Sequence, residues 1–426
     1  MAGQTLIQKI FAAHTAPDAS VAAGDIIWLD LDIRTARDFG GANVVKNYRE
    51  HYGDTPVAAA AKTFFTFDLV VPPSNIPYAN NQQLCRVWAR TQGVRVFDVN
   101  AGIGSHVAIE EGLVQPGNTF VGTDSHLNIL GAVGAFGQGM GDQDIAFAFK
   151  TGRTWFEVPP TMKVILKGEL RPPCTARDLT LAIMRDLGPS GALGRAIEFY
   201  GPAIDALDLA GRITLASQVT EMGGIIGFPI SKLVNSELRI TNYESRIGES
   251  LLLTPYSILP DLDADYIETI EVDISDLTPL IACPPSPTNV KPVREVAGRR
   301  IDSVFLGSCT NGRFEDFAAV VKIVHGKRIA SHVMATVVPA TRRVYAQMLA
   351  SGVLQTLFEA GFIISNPGCG GCASGHLGMT GKGEVQVSTS NRNFPGKQGA
   401  GETYLASPVT AAWCALEGEI ATPEEG

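Results

Sequence analysis

Two cysteines three residues apart, Cys369 and Cys372, lie in the glycine-rich stretch NPGCGGCASG over residues 366–375, and Cys309 lies in GSCTNGR. Several kinds of site use thiols in such a pattern. A redox dithiol normally opens a helix, whereas glycines hold this pair in a loop. A zinc site needs a fourth ligand, and His376 is close enough in sequence to provide one. Three thiolates on an iron–sulfur cube would leave one iron open to act as a Lewis acid.

Composition excludes two broad classes of function. The 426-residue chain has a formal net charge of −9 and no block of Lys or Arg, so a nucleic-acid partner has no electrostatic support. No stretch approaches the roughly 18 consecutive apolar residues of a membrane span. The seven cysteines are scattered and no secretory signal is evident at the N-terminus, which together predict reduced thiols in the cytoplasm.

Four short strand-like runs organise the first part of the chain. They read DIIWLDLD, FFTFDLVV, VRVFDVN and NTFVGTDSH, and the segments between them favour crossovers and a largely parallel sheet. Each run closes on polar side chains, which would collect at the carboxyl edge, where open α/β sheets bind ligands. The alternative for each side chain is capping of the next helix. These side chains are Asp30, Asp32, Asp68, Asn100, Asp124, Ser125 and His126.

The rest of the chain divides into two further units. The second begins with the strand TMKVILKGEL and the helix TARDLTLAIMRDLG, for which Thr175 is the predicted N-cap and Gly188 lies past the end. The later helix ITLASQVTEMGG places Glu221 near its C-terminal end. We predict α/β domains at residues 1–160, 161–273 and 298–426, with a linker at 274–297 that carries five prolines.

Strands and helices alternate in the third unit. DSVFLG is a predicted strand that runs into the turn bearing Cys309, and FIIS is a strand that runs into the loop bearing Cys369 and Cys372. The strand in GEVQVSTSNRNF ends at Asn391 and Arg392. Because parallel strands place their carboxyl ends at one edge, we expect these loops to meet.

Four motifs together resemble those of the aconitase family. They are LGSCTNGR, NPGCGGC, STSNRNFPGKQG and GTDSH. The resemblance extends from GQTLIQKI to YLASPVTAAWCALEGEI, and the chain length fits the separate large subunits of isopropylmalate dehydratase type. It implies an α/β fold of three domains around a cleft that contains one [4Fe–4S] cluster, held by Cys309, Cys369 and Cys372.

The resemblance also implies roles for particular residues. The family's DSH motif, an acidic residue near the open iron and the SNRNF pair that faces substrate all have counterparts here. These are Asp124, Ser125, His126, Glu221, Asn391 and Arg392. We expect His126 to donate the proton that the departing hydroxyl takes up, because imidazole titrates near neutral pH. Arg392 is expected to bind a carboxylate through two donors.

Several positions depart from the family pattern. Asp68 is followed by Leu69, where the family commonly has Asp followed by His. In GIGSHV, Ser105 takes the place of a histidine and His106 that of a glutamine, which makes His106 a second candidate for the proton donor. Lys397 replaces a usual Arg, so the charge is kept and the bidentate fork is lost. The cluster residues therefore match the family, while the substrate shell differs.

These observations predict a hydro-lyase that acts on a small 2-hydroxy di- or tricarboxylate. An apolar Leu69 in the pocket favours an isopropylmalate- or alkylmalate-type acid over citrate. Because the chain ends at Gly426, without room for the mobile domain of single-chain relatives, we expect a separate small subunit to complete the site and supply the base. The alternatives are an iron- or oxygen-sensing regulatory protein on the same cluster scaffold, and a zinc-bound structural protein.

Overall fold

A computed structural model describes residues 3–231, 239–240, 251–252, 258–372 and 377–423. His376, the candidate fourth ligand of a zinc site, lies outside the described residues. The first helix, α1 (Leu6–Ala12), buries Leu6, Ile7, Ile10 and Phe11. None of the described helices is long and apolar enough to cross a membrane.

The first unit is built on a five-stranded parallel sheet. Its strands and helices are β2 (Ile33–Arg37), α2 (Gly41–Tyr52), β3 (Thr63–Thr66), α3 (Ile76–Gln92), β4 (Arg95–Phe97), α4 (Gly104–Glu110), β5 (Thr119–Gly122), β6 (Phe136–Gly139) and α5 (Asp142–Thr151). The strand order is β4-β3-β2-β5-β6, and all neighbours are parallel. The predicted parallel sheet is therefore confirmed, but one of the four predicted strands lies outside it and β2 takes its place.

The predicted strand that lies outside the parallel sheet is the run DIIWLDLD. It forms β1 (Ile26–Asp30), which pairs antiparallel with β7 (Arg153–Glu157) in a separate two-stranded sheet. The residues of β1 alternate between exposed and buried, as in a strand with one face in solvent, whereas β2 is buried almost throughout and suits a central parallel strand. Asp30 and Asp32 thus precede the central strand, and Asp32 binds His14 instead of reaching the carboxyl edge.

The second unit contains a four-stranded parallel sheet. Its elements are β8 (Thr161–Lys167), α6 (Ala176–Leu187), β9 (Ala196–Tyr200), α7 (Pro202–Asp205), α8 (Leu209–Gln218), β10 (Ile226–Pro229), the short pair β11 (Arg239–Ile240) and β12 (Leu251–Leu252), and β13 (Glu268–Asp273). The order is β10-β9-β8-β13. The predicted caps of α6 are confirmed: the Thr175 side chain accepts the Arg177 amide at 3.1 Å, and Gly188 is the C-cap. Glu221 lies in a 3₁₀ turn, Val219–Met222, that continues α8.

The third unit holds a seven-stranded mixed sheet. Its elements are β14 (Leu280–Ala282), β15 (Val290–Pro292), β16 (Ser303–Leu306), α9 (Phe314–Val324), β17 (Met334–Val337), α10 (Arg342–Ala350), α11 (Val353–Ala360), β18 (Ile363–Ile364), β19 (Val385–Ser388), β20 (Glu402–Ala406) and α12 (Pro408–Glu417). The order is β15-β14-β20-β19-β16-β17-β18. The proline-rich range 274–297, predicted as a linker, contributes β14 and β15 to this sheet, both in antiparallel pairs. The domain boundaries themselves stay a prediction.

Apolar side chains from all three units meet beneath the cysteine loops. This cluster of buried residues includes Leu69, Ile103, Ile213, Cys309, Ala340 and Cys369. Burial of these side chains together removes apolar surface from water and joins the three sheets at one point. The two cysteine loops therefore pack against one hydrophobic core that all three units share.

Candidate active site

The turn after β16 places the first cysteine. Ser308, immediately before Cys309, has φ 72°, and among the described residues no other residue except glycine has a positive φ. A side chain in this region costs strain, which is found mainly where a fixed local geometry is needed. The turn leaves the Cys309 Sγ 3.3 Å from the Asn391 Oδ1.

Glycine allows the second cysteine loop to pack closely. Gly370 has φ 59°, and a Cβ at this position would lie 2.7 Å from the ring of Phe305. Only glycine fits this close approach without displacing the ring. The loop is tied to the first unit because the Cys369 amide donates to the Asp68 carbonyl oxygen at 2.8 Å. The glycines around the cysteine pair thus let the loop pack between the sheets of the first and third units.

The three predicted ligand thiols lie in one neighbourhood. Burial raises the pKa of Cys309 and of Cys369 well above the ordinary thiol value, and the nearby Cys372 raises both further. Burial also raises the pKa of Cys372, against the opposing charges of Lys397, Arg37 and Arg392. A buried thiolate therefore needs compensating positive charge here, which nearby cations or metal ions can provide.

The donor set fits an iron–sulfur cluster. In the described part of the chain, no group of three or more His, Cys, Asp and Glu side chains is arranged to hold a single metal ion. In a cube each thiolate binds a different iron, so ligands of a cluster need not surround one point. Among the described residues the buried Asn391 Nδ2 has no hydrogen-bond partner, and turning this amide would aim its donor at a Cys309 thiolate. Three thiols and this unused donor suit a sulfur-rich anionic group.

Arg37, at the end of β2, joins the cysteine loop to two carboxylates. Its Nη2 donates to the Cys369 Sγ at 2.8 Å and lies 2.7 Å from the Asp68 Oδ1, and its Nη1 lies 3.1 Å from the Asp124 Oδ1. Burial would lower the pKa of Arg37, but Asp68, Cys369 and Asp124 raise it well above its ordinary value. The guanidinium is therefore a permanent cation beside the second cysteine.

The DSH motif after β5 forms a connected network with the second and third units. The His126 Nε2 lies 3.0 Å from the Glu221 Oε1, and the Ser125 Oγ lies 3.3 Å from the His126 Nδ1. The Arg392 Nε donates to the same Glu221 oxygen at 2.7 Å. Asp124 accepts the His126 amide at 3.1 Å. The loops after β5 and β19 and the 3₁₀ turn after α8 thus bring an imidazole, two carboxylates and a guanidinium together.

Both carboxyl groups of this network are held in the ionised form. Burial would raise the pKa of Asp124, but Arg37 and His126 lower it below its ordinary value. Burial would likewise raise the pKa of Glu221, which His126 and Arg392 lower instead. Glu221 therefore remains an anionic acceptor that can orient both of its partners.

Sequence reasoning did not find Arg37 or its neighbour Asp38. The Asp38 carboxylate is fully buried and accepts the backbone amides of Asp68, Leu69 and Val70, so it shapes the loop that follows β3. The signal was present in TARD, a charged pair after a run of alternating polar and apolar residues. The sequence pattern predicts no strand over Ile33–Arg37 and therefore does not place these two residues at the edge of the sheet.

Comparison with known proteins decides the family. A model described as Aconitase family (aconitate hydratase) matches residues 8–300 and 291–418. The 3-isopropylmalate dehydratase large subunit 1 of Methanopyrus kandleri is 40% identical over 426 residues, which is 99% of each chain. The chain belongs to the aconitase family. Its membership confirms the predicted enzyme of the hydro-lyase class.

Two further comparisons extend this result. The homoaconitase large subunit of Thermus thermophilus is 40% identical over 428 residues, covering 99% of this chain and 98% of that one. The crystal structure of Thermococcus kodakaraensis aconitase X in its holo-form covers 93% of this chain and 88% of its own, with a TM-score of 0.51 and 12% identity. The latter shows the fold alone and confirms the predicted α/β architecture.

The residues that depart from the family pattern lie close to the cysteines. Leu69 is 7% exposed and packs in the same apolar cluster as Cys309 and Cys369. The His106 Nε2 donates to the Cys309 carbonyl oxygen at 2.9 Å, and burial lowers the pKa of His106 to about 3. The Ser105 Oγ is buried without a hydrogen-bond partner among the described residues. This member of the aconitase family therefore supports its first cysteine with a neutral imidazole.

Proposed function

We propose that this chain is the large subunit of an iron–sulfur hydro-lyase that removes water from a small 2-hydroxy di- or tricarboxylate, or adds it back. The observation that carries the proposal is one constellation: the Cys309, Cys369 and Cys372 thiols lie near Arg37 and Asp124, and Asp124 also accepts the amide of His126, which pairs with Glu221. All seven cysteines are free, which fits a reducing cytoplasm.

Cys309, Cys369 and Cys372 would hold a [4Fe–4S] cluster whose fourth site has no cysteine. When bound, such a cluster supplies a Lewis acid for the oxygens of the substrate. The remaining thiols are buried away from this neighbourhood, and we expect them to be dispensable for the cluster. They are Cys85, Cys174, Cys283 and Cys414.

His126 is the proposed donor of the proton that the departing hydroxyl takes up. Its two ring nitrogens contact Glu221 and Ser125, so one nitrogen can donate a proton while the other is held by a neighbour. Asp124 positions it through the His126 amide. His106 is the weaker candidate, because the one hydrogen of its neutral ring is donated to the Cys309 carbonyl.

Cations in the same neighbourhood would bind the carboxylates of the substrate. The Arg392 side chain is 19% exposed, its Nε donates to Glu221 and its Nη1 to the Ser125 Oγ at 3.5 Å, which orients the guanidinium for an anion. Lys397 is close enough to lower the pKa of Cys372 and can add a second positive charge. Asn391 faces Cys309, so we assign it to the cluster side of the site.

A separate small subunit would complete the site. The relatives from Methanopyrus kandleri and Thermus thermophilus are named large subunits and match this chain over nearly their whole length. We assign the base that removes the carbon-bound proton to that partner, and Asp68 to an electrostatic role, since Arg37 already occupies its carboxylate.

The cluster is tested by anaerobic reconstitution of the wild type and of single alanine variants at Cys309, Cys369 and Cys372. Cys283→Ala is the matched control, because this thiol is buried in the third unit away from the site. We expect iron, acid-labile sulfide and visible absorption in the wild type and control, and their loss in the three variants. A variant that keeps all three signals would refute its assignment. Zinc without sulfide would indicate a structural site instead.

The substrate is tested with the reconstituted chain and its small subunit. Because Leu69 packs beside the cysteines, we expect a higher kcat/KM for alkylmalates such as isopropylmalate than for citrate. Leu69→His should narrow this preference by adding a polar group. A clear preference of the wild type for citrate would reject the alkylmalate assignment. A stable cluster without turnover of any 2-hydroxyacid would favour the regulatory alternative.

A further inference from the structure

Arg37 is the basis of a further inference, which rests on the proposed cluster. In the described residues Arg37 is the cationic side chain that forms ion pairs with both Asp68 and Asp124. The same group donates to the Cys369 Sγ at 2.8 Å. Its side chain is 11% exposed, which limits screening by water.

The surroundings fix the position of the guanidinium. The Arg37 amide donates to the Thr123 Oγ1 at 3.0 Å, and its Nε donates to the Asp68 Oδ1 at 2.9 Å. Asp68 is itself held because it accepts the Gly104 amide at 2.9 Å. A side chain anchored at both ends keeps its donors aimed without reorganisation.

We propose that Arg37 is a positioning residue that stabilises the Cys369 thiolate as a cluster ligand, raises the reduction potential of the cluster and slows its loss. A hydrogen bond to a ligating sulfur withdraws negative charge from it, and a nearby cation favours the more reduced, more negative form. Both effects act on the potential in the same direction. Asp68 accepts the Gly104 amide and Asp124 accepts the His126 amide, so the two carboxylates are fixed and hold Arg37 next to the Cys369 sulfur.

Arg34 offers a matched control on the same strand. It is 2% exposed, but it donates to the carbonyl oxygens of Leu31 and Ala59 and contacts none of the site residues. Arg34→Gln therefore removes a buried guanidinium of similar size from β2 without touching Cys369. A purely structural effect of losing an arginine would appear in both variants.

The experiment compares wild type, Arg37→Gln, Arg37→Lys and Arg34→Gln, each reconstituted anaerobically and checked by circular dichroism. The readouts are the midpoint potential from a redox titration followed by electron paramagnetic resonance, and the rate of iron release to a chelator. Because outer-shell partners of metal ligands are typically worth about 10- to 100-fold in metal retention, we expect Arg37→Gln to lose iron that much faster. Its potential should fall, whereas Arg34→Gln should match the wild type in both readouts.

Arg37→Lys decides the case if Arg37→Gln does not fold. Lysine keeps the charge and loses the planar set of donors, so its iron release should also exceed the wild-type rate. An unchanged rate and potential in the folded Arg37 variants would overturn the inference, as would equal shifts in Arg34→Gln. A wild-type chain that binds neither iron nor sulfide would overturn the proposed function and this inference together, whereas a stable wild-type cluster that is indifferent to Arg37 overturns the inference alone.

Discussion

Replacement of His126 by glutamine tests the proposed proton donor. Glutamine is close in length, and its amide can still donate to Glu221, so the network keeps its shape while the titrating group is lost. Arg392 retains its own bond to Glu221 at 2.7 Å, which preserves the binding group for a carboxylate. The variant therefore removes proton transfer with little change in substrate binding.

The expected loss follows from the role assigned to the imidazole. Removal of a general acid typically costs about 10²- to 10⁴-fold in rate, so kcat should fall within this range. KM should change little, because the interaction is needed in the transition state and not in the ground state. Iron content should be unchanged, since the hydrogen bonds of the His126 side chain are with Glu221 and Ser125 and not with a cysteine.

The assay is steady-state turnover of the reconstituted two-subunit enzyme, normalised to iron content. His106→Gln is the matched control: this histidine is also buried, but it contacts the Cys309 carbonyl, so any loss of activity should follow loss of cluster. A His126→Gln enzyme with intact cluster and wild-type kcat would remove His126 from the mechanism. Equal losses per cluster in both variants would show a general effect of packing.

Three further predictions concern binding and stability. Arg392→Lys should lower kcat/KM by about 10- to 100-fold, because a charge-assisted hydrogen bond is lost with the bidentate fork, and steady-state kinetics showing less than about a twofold change would contradict this. Glu110→Gln should lower the free energy of unfolding by about 3–5 kcal/mol in urea titrations, since Arg313 would be left buried without its carboxylate partner at 2.6 Å, and an unchanged midpoint would refute it. Burial would lower the pKa of His14, but its partner Asp32 raises this pKa above 6.5. The ion pair of His14 with Asp32 therefore stabilises the fold fully below pH 6.5, and this stabilisation is lost as the pH rises through the pKa of His14. His14 in turn helps to lower the pKa of Asp32 from 3.8 to about 2, so Asp32→Asn should destabilise most between pH 3.8 and 6.5, and a His14 NMR titration that does not move in this variant would contradict the pairing.

Local patterns were sufficient for most of the architecture. The caps of α6 could be predicted because Thr175 and Gly188 act on the backbone within a few residues of themselves. The convergence of Cys309 with the Cys369 loop followed from the rule that parallel strands end at one edge. Features that depend on neighbours in sequence, or on a general rule of sheet geometry, were thus accessible before the structure.

Strand choice was less accessible, because two adjacent runs compete for the central position. β1 has the stronger apolar signal, yet Ile26 and Trp28 are exposed and the strand lies in a two-stranded sheet. β2 carries Arg34 into the interior, where the guanidinium is satisfied by carbonyl oxygens that no local pattern reveals. Burial of a charged residue is decided by its tertiary partners, so the local sequence did not predict β2.

The electrostatics around Asp68 depend on residues that are far apart in the sequence. Asp68 is followed by Leu69 and not by a histidine, and TARD places Arg37 at the end of β2. In the fold, the Arg37 guanidinium lies against the Asp68 carboxylate, the Asp124 carboxylate and the Cys369 sulfur at once. Leu69 packs in the apolar cluster of Cys309 and Cys369, and burial raises the pKa of Asp68 to about 7 against the opposing charge of Arg37. The cation that contacts Asp68 is therefore a guanidinium from another strand and not an imidazole from the adjacent residue, and only the fold brings the two groups together.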